Sequence, residues 1–280
     1  MSDRKQRFSC EFFPPKTEAG KTKLLTEVTP ALNEALSPEF FSVTYGAGGS
    51  TRDTTLGVVS AINDSGLDVA PHLSFGGDDE NAVGDLLDTY KARGVKRLVA
   101  LRGDIPSGTG GAARSVYANE LVAFIRKHSG DHFHIEVAAY PEIHPEAKSY
   151  DTDIRYLKGK FDAGADSGIT QFFYNVEAYF YFLDQCAASG IDQPIYAGVM
   201  PLHNFANIRR FAGNTGAEIP RWICQKMDSY GDDEESQRKF GFEVVLQLCQ
   251  KLLESGAPGI HFYTMNQVEP TRELFANLGA

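Results

Sequence analysis

Eight short apolar runs, each separated from the next by an amphipathic stretch, constrain this chain more than any other feature of its sequence. They are Arg7–Phe13, Phe40–Gly46, Asp68–Phe75, Arg97–Asp104, His134–Pro141, Ile169–Asn175, Pro194–Pro201 and Gly259–Asn266. Most are nearly continuous in Val, Ile, Leu, Phe and Tyr, as strands covered on both faces must be. The stretches Lys16–Ala35, Asn81–Arg93, Ser115–His128, Thr152–Ala163, Val176–Ala188 and Ser236–Glu254 carry helical spacing; in the last, Phe240, Val244, Val245, Leu248 and Leu252 share a face. Gly94, Gly190 and Gly256 follow three of them as stop signals. The connections have βαβ size, and the longer last one is expected to add a short helix at Ile219–Met227. Eight strand–helix units predict a single α/β domain over residues 1–280, a (β/α)8 TIM barrel with a short extra helix before the last helix–strand unit. The alternative is an open doubly wound sheet. That fold usually carries a glycine-rich fingerprint after strand one, where this chain has Phe13-Pro14-Pro15-Lys16.

Composition narrows the partners. A formal net charge of −10 argues against nucleic acid or an anionic membrane, both of which need a positive footprint. No run reaches the roughly 20 apolar residues of a membrane span, and the charged start lacks the apolar segment of a secretory signal. Cys10, Cys186, Cys224 and Cys249 are far apart, so buried thiols in a cytoplasmic setting are expected rather than disulfides or a metal site.

Barrel enzymes place their chemistry at the C-terminal ends of strands. Polar residues predicted there are Glu11, Thr44, His72, Arg102, Asp104, Tyr140, His144, Gln171 and Tyr263. Alternation puts Ser9 and Glu11 on the face opposite Cys10 and Phe12. A carboxyl at a barrel mouth among aromatic side chains suits a general acid; the alternative is a structural carboxylate paired with an arginine such as Arg102. Arg102-Gly103-Asp104 offers a phosphate fork, a close backbone approach and an acceptor, or simply an Arg–Asp pair on a turn. The glycine-rich segments 46–50 and 107–111 are candidate phosphate cradles with weak signals. His132-x-His134 has the look of a metal pair but lies at the start of strand five, the wrong end for a site. No metal is expected.

Seven motifs in order carry a family resemblance: Glu11-Phe12-Phe13-Pro14-Pro15-Lys16, Ser42-Val43-Thr44-Tyr45-Gly46-Ala47, Ala70-Pro71-His72-Leu73, Leu101-Arg102-Gly103-Asp104, the segment Ala138–Ala147 around Tyr140-Pro141-Glu142-Ile143-His144, Thr170-Gln171-Phe172-Phe173, and His261-Phe262-Tyr263-Thr264. The sequence resembles the bacterial 5,10-methylenetetrahydrofolate reductases over nearly its whole length. The resemblance implies a (β/α)8 barrel that reduces methylenetetrahydrofolate to 5-methyltetrahydrofolate for methionine synthesis. It implies tightly bound FAD and NADH as co-substrate, with NADPH possible, in a ping-pong sequence.

Carried over by position, Glu11 is the catalytic acid, and Asp104 is placed with it, facing both flavin and pterin. Thr44, Tyr45, Ala47, His72, Arg102 and Gly103 match flavin-lining positions, as do Tyr117, Ala118, Tyr140, His144, Ala147, Asp153, Tyr156 and Lys160. Arg102 and Lys160 suit the phosphates. Gln171, Asn207, Phe211, Tyr263 and Gln267 match substrate positions. Asn207 and Gln267 replace a glutamine and an arginine of the enteric pattern, and the second change removes a charge. The resemblance also implies a cytoplasmic homo-oligomer. Gln267–Ala280 is too short for a domain with its own core, so S-adenosylmethionine, which inhibits eukaryotic members through a C-terminal domain, is expected to leave activity unchanged. The alternative functions are a flavin-dependent barrel dehydrogenase of another substrate, a flavin-free pterin-binding one-carbon transferase, and a folate or flavin storage protein.

Overall fold

A computed structural model of the chain describes residues 6–45, 52–75, 79–102 and 116–279. Eight parallel strands close into a barrel in sequence order: β1 (Arg7–Phe12), β2 (Phe40–Val43), β3 (Val69–Leu73), β4 (Arg97–Ala100), β5 (His134–Ala139), β6 (Ser167–Thr170), β7 (Ile195–Val199) and β8 (Gly259–Tyr263). The first and last strands seal it, with Ser9 opposite His261 and Glu11 opposite Tyr263. All eight runs became strands, but the ladders stop short of their predicted C-terminal ends. The largest difference is at β6, which ends at Thr170, while Phe172, Phe173 and Tyr174 are buried outside the ladder. Their apolarity reflects packing at the barrel mouth, where the chain leaves the sheet.

The helices are α1 (Glu18–Lys23) and α2 (Thr29–Leu36), joined by a π-helical turn at Leu24–Val28, then α3 (Arg52–Asp64), α4 (Glu80–Ala92), α5 (Ala118–Ser129), α6 (Tyr150–Asp162) and α7 (Val176–Ala188). Three more, α8 (Phe205–Thr215), α9 (Arg221–Ser229) and α10 (Glu234–Glu254), fill the long last connection, and α11 (Thr271–Ala276) follows β8. The extra helix expected at Ile219–Met227 is α9, two residues later. Side-chain oxygens of Thr17, Asp79, Ser149, Asn175, Asn204 and Asp233 accept first-turn N–H groups, which fixes where six helices begin. Gly94, Gly190 and Gly256 take positive φ after α4, α7 and α10. Among the described residues, no helix is long and apolar enough to cross a membrane.

The main core lies between barrel and helices. Cys10 and Phe12 point into it, and Phe12 stacks on Phe41 at 5.2 Å between ring centroids. Each such fully buried side chain contributes about 1.5–3 kcal/mol. The opposite face of β1 therefore turns Ser9 and Glu11 into the barrel, as alternation requires. Three of the four cysteines are buried, whereas Cys224 is half-buried, and all are free thiols.

The N-terminal end of the barrel is closed by charge. Glu136, with no exposed surface, accepts hydrogen bonds from Arg97 and from Ser167. His134 Nε2 lies 2.7 Å from Ser167 Oγ and 3.3 Å from the Glu136 carboxylate. Arg97 also donates to Glu39 at 2.7 Å and covers the Phe40 ring at 4.5 Å. Burial opposes the Glu136 anion, but His134, Arg97 and Ser167 outweigh it and hold its pKa below the ordinary value. His134 is thus engaged at the barrel floor, the end the sequence assigns it.

Candidate active site

At the opposite end the barrel interior holds a carboxyl with a different environment. Glu11 is 7% exposed, and its Oε2 is approached by His72 Nε2 at 3.4 Å and His261 Nε2 at 3.6 Å. Both separations exceed a good hydrogen bond, and both imidazole nitrogens are buried without a partner. Burial holds His72 down at about 4 against the pull of Glu11, so its ring is neutral at pH 7. His261 is fixed from its other nitrogen, with Nδ1 2.7 Å from Ser9 Oγ. Ser9, His261 and Glu11 thus lie together on the seam between β1 and β8, with a hydrogen bond joining the first two. The pairing of Glu11 with Arg102 weighed above does not occur, since the Arg102 guanidinium forks onto Glu146.

Tyr263 occupies the next position on the same seam. Its hydroxyl donates to Thr170 O at 2.7 Å, and burial, with the charges of Glu11 and Tyr140, pushes its pKa well above the ordinary value. Gly198 makes room for it: a Cβ there would meet Thr170 O at 2.1 Å and the Tyr263 ring at 2.8 Å.

Beside this seam, the described residues at the C-terminal ends of β2 to β4, the loop after β5 and helices α5 and α6 line a cavity of about 570 Å³, within the range of ligand sites. Tyr45, Arg102, Tyr117 and Ala118 line one part of it. Tyr140, His144, Ala147, Asp153, Tyr156 and Lys160 line the rest, so ten of the cofactor positions named from the sequence converge on one space. Tyr117 and Tyr156 leave 58% and 60% of their surface in solvent at its rim, where they present stacking faces. Thr44 and His72 do not line it. Ala47, Gly103 and Asp104 lie outside the described residues.

The polar groups of the cavity hold one another in place. Lys160 Nζ donates to Ala138 O at 2.7 Å, and burial pulls its pKa down to about 8, against the raising effect of Asp153. Asp153 Oδ2 accepts the His144 N–H at 2.8 Å, and burial raises its own pKa. His144 Nδ1 accepts the Glu146 N–H at 3.0 Å, which leaves Nε2 as the ring's donor. The His144 ring meets Tyr140 edge-on at 4.6 Å. Four tyrosines and three cations, Arg102, Arg155 and Lys160, suit a flat ring system joined to phosphates. Arg102 supplies a planar fork and Lys160 a point charge, so the residues present fit FAD.

The substrate positions are spread around the mouth. Gln171 lines a small second cleft with Tyr140 and Glu142, and its Oε1 accepts the Phe172 N–H at 3.0 Å. Asn207 and Phe211 stand on α8, the first exposed and the second half-buried, and Gln267 is exposed after β8. Sequence reasoning missed Glu146, whose partner is distant in the chain. It also missed the cavity-lining Leu73, Ser74, Asn119 and Arg155, and the role of His261 beside Glu11. The last was within reach, because His261 and Glu11 both interrupt apolar strands.

Comparison with known proteins gives this geometry its relatives. A family model described as methylenetetrahydrofolate reductase matches residues 1–279. The 5,10-methylenetetrahydrofolate reductase of Escherichia coli (strain K12) is 39% identical over 272 residues, covering 97% of this chain and 90% of that protein. Methylenetetrahydrofolate reductase (NADH) 1 of Zea mays is 36% identical over 294 residues, covering 99% of this chain but 49% of the plant protein. Among solved structures, a Clostridium thermocellum protein described as binding two copies of 5-methyl-5,6,7,8-tetrahydrofolic acid superposes with a TM-score of 0.66. It covers 99% of this chain and 95% of its own, and at 18% identity it speaks for the barrel fold alone. With a matching model along nearly the full chain and close bacterial relatives on either count, this chain belongs to the methylenetetrahydrofolate reductase family.

Proposed function

We propose that this chain is a single catalytic unit that reduces 5,10-methylenetetrahydrofolate to 5-methyltetrahydrofolate, with FAD in the 570 Å³ cavity and NADH as electron donor. The observation that carries the reading is the pairing, at one end of the barrel, of a buried carboxyl beside two imidazoles with a cavity walled by tyrosines and three cations. When bound, FAD supplies a hydride relay from NADH to the one-carbon unit of the folate in two successive half-reactions.

The chain's own residues orient the reactants and handle the proton. Tyr45, Tyr117, Tyr140 and Tyr156 hold the ring systems, and Arg102 and Lys160 hold the phosphates; Glu146 must yield the Arg102 fork to a phosphate. Glu11 donates a proton to N10 of the folate, which opens the five-membered ring and leaves an electrophilic carbon for hydride. Its low exposure keeps bulk water from the acid, and the Ser9–His261 pair packs beside it. Neutral His72 contributes shape and an N–H without a competing positive charge. Gln171, Asn207, Phe211, Tyr263 and Gln267 contact the substrates, Asp104 faces flavin and pterin, and the chain works in the cytoplasm as a homo-oligomer.

The test is optical. Purified protein reconstituted with FAD should be yellow, bleach with NADH under anaerobic conditions and recover its colour with methylenetetrahydrofolate. A protein that stays colourless after reconstitution would instead be the flavin-free transferase. A yellow protein indifferent to folate would be a dehydrogenase of another substrate.

A further inference from the structure

The loop after β5 turns sharply at Ile143, a β-branched residue at φ +68, a strained conformation that persists only where its surroundings enforce it. The turn sends its two neighbours to different places. His144 faces the cavity, whereas Glu142 lines the small cleft formed with Gln171, Phe172 and residues Thr215–Ala217 at the end of α8. Glu142 Oε2 accepts the Glu218 N–H at 2.8 Å, a contact 76 residues apart in sequence. Gly216, at φ +74, packs so closely on this loop that a Cβ would meet Pro145 Cγ at 2.7 Å. The loop that lines the cavity is therefore fastened to the segment that ends α8.

The other oxygen of the carboxyl, Oε1, is buried and has no hydrogen-bond partner. It belongs to a cleft of about 10 Å³, room for no more than one water. Gln171 lines the same cleft with its own Oε1 already occupied by the Phe172 N–H, so its amide nitrogen is the end that remains to donate. A buried acceptor without a donor is costly to keep.

We propose that Glu142 is a positioning residue for the substrates: its bond to Glu218 fixes α8, with Asn207 and Phe211, against the cofactor loop. The assignment rests on the function proposed above. It adds a residue that touches neither substrate nor flavin yet sets where the substrate-contacting groups stand.

The experiment compares flavin-loaded wild type, Glu142→Ala and Glu142→Gln. The glutamine carbonyl keeps the Glu218 bond; alanine removes it. In Glu142→Ala, hydrogen exchange at the Glu218 amide should rise at least about tenfold and KM for methylenetetrahydrofolate about fivefold or more, with flavin content within about twofold of wild type. Glu142→Gln should restore exchange protection and most of KM. An alanine variant that loses thermal stability while both KM values stay at wild type would reduce Glu142 to a structural role and overturn the proposal. So would a glutamine variant as impaired as alanine. A wild-type protein that takes up no flavin would instead sink the reading of the cavity, and the Glu218 exchange measurement would still report whether the clip exists.

Discussion

The two ends of this barrel each bury a glutamate, and they treat it in opposite ways. At the floor, Glu136 is met by Arg97, Ser167 and His134, and its anion is favoured. At the mouth, Glu11 has two imidazoles whose Nε2 atoms, at 3.4 and 3.6 Å, fall short of hydrogen bonds and have no hydrogen-bond partner. Satisfied polar groups fix a structure; unsatisfied ones store a capacity to bind or exchange a proton. Parallel strands make the division natural, because the floor only has to close the barrel while the mouth carries the variable loops.

The largest effect that tests this contrast lies at the floor. Glu136→Ala leaves the nearly buried Arg97 guanidinium with Glu39 as its remaining carboxylate and should cost about 3 kcal/mol, a fall in thermal midpoint of about 6 °C or more. Substrate KM values of the surviving folded protein should be unchanged. A midpoint within about 2 °C of wild type would show that the floor network is not structural.

At the mouth, Glu11→Gln should do the reverse. Flavin reduction by NADH needs no proton from this carboxyl and should proceed normally. The folate half-reaction should slow by about 10² or more, with the midpoint nearly unmoved. Stopped-flow absorbance separates the two steps, and near-normal folate reduction would remove Glu11 from the chemistry.

Lys160→Met replaces the buried cation of the cavity with a side chain of similar length. FAD affinity, followed by quenching of flavin fluorescence, should fall about tenfold, the scale of one charge-assisted hydrogen bond. Unaltered affinity and salt dependence would place the phosphates elsewhere.

The smallest effect is a difference in sign with pH. Burial pushes the Glu142 carboxyl up to about 7, with the Glu218 N–H opposing and the Glu218 charge adding to the rise. A raised folded-state pKa contributes stability fully present below the unfolded value and lost as pH rises through 7. Glu136, held low, contributes stability present above its unfolded pKa and lost on acidification. Between pH 5.5 and 8, wild type should therefore lose about 2 °C relative to Glu142→Gln, as read by scanning calorimetry. No such divergence, or one of opposite sign, would mean that Glu142 is charged throughout the range.

The barrel was legible because its strands are buried on both faces, so each reads as an apolar run and their order needs no long-range information. Helix α8 was harder to see. Phe205, Ile208 and Ala212 give it a buried stripe, but Gly213-Asn214-Thr215 lowers its helix propensity, and tertiary packing decides. Glu11 stood out because it is a charge inside an apolar strand. Most cavity residues did not: Tyr117, Tyr156 and Lys160 look like ordinary helix-surface residues, and only the family resemblance picked them out. The Glu142–Glu218 and Arg102–Glu146 contacts join loops 76 and 44 residues apart, and no local pattern encodes such pairings.

The seam between β1 and β8 sets a schedule for the cell that makes this protein. Ser9 and His261 are 252 residues apart, so this hydrogen-bonded pair beside Glu11 is divided between the first and last strands of the barrel to leave the ribosome. At roughly 5–20 residues per second, the nascent β1 stays without its second neighbour for on the order of 10–50 s. Through that interval the growing sheet has two raw edges, each a template for pairing with another chain. Closure waits for β8, and a nascent fragment that stops short of Gly259 keeps both of those edges.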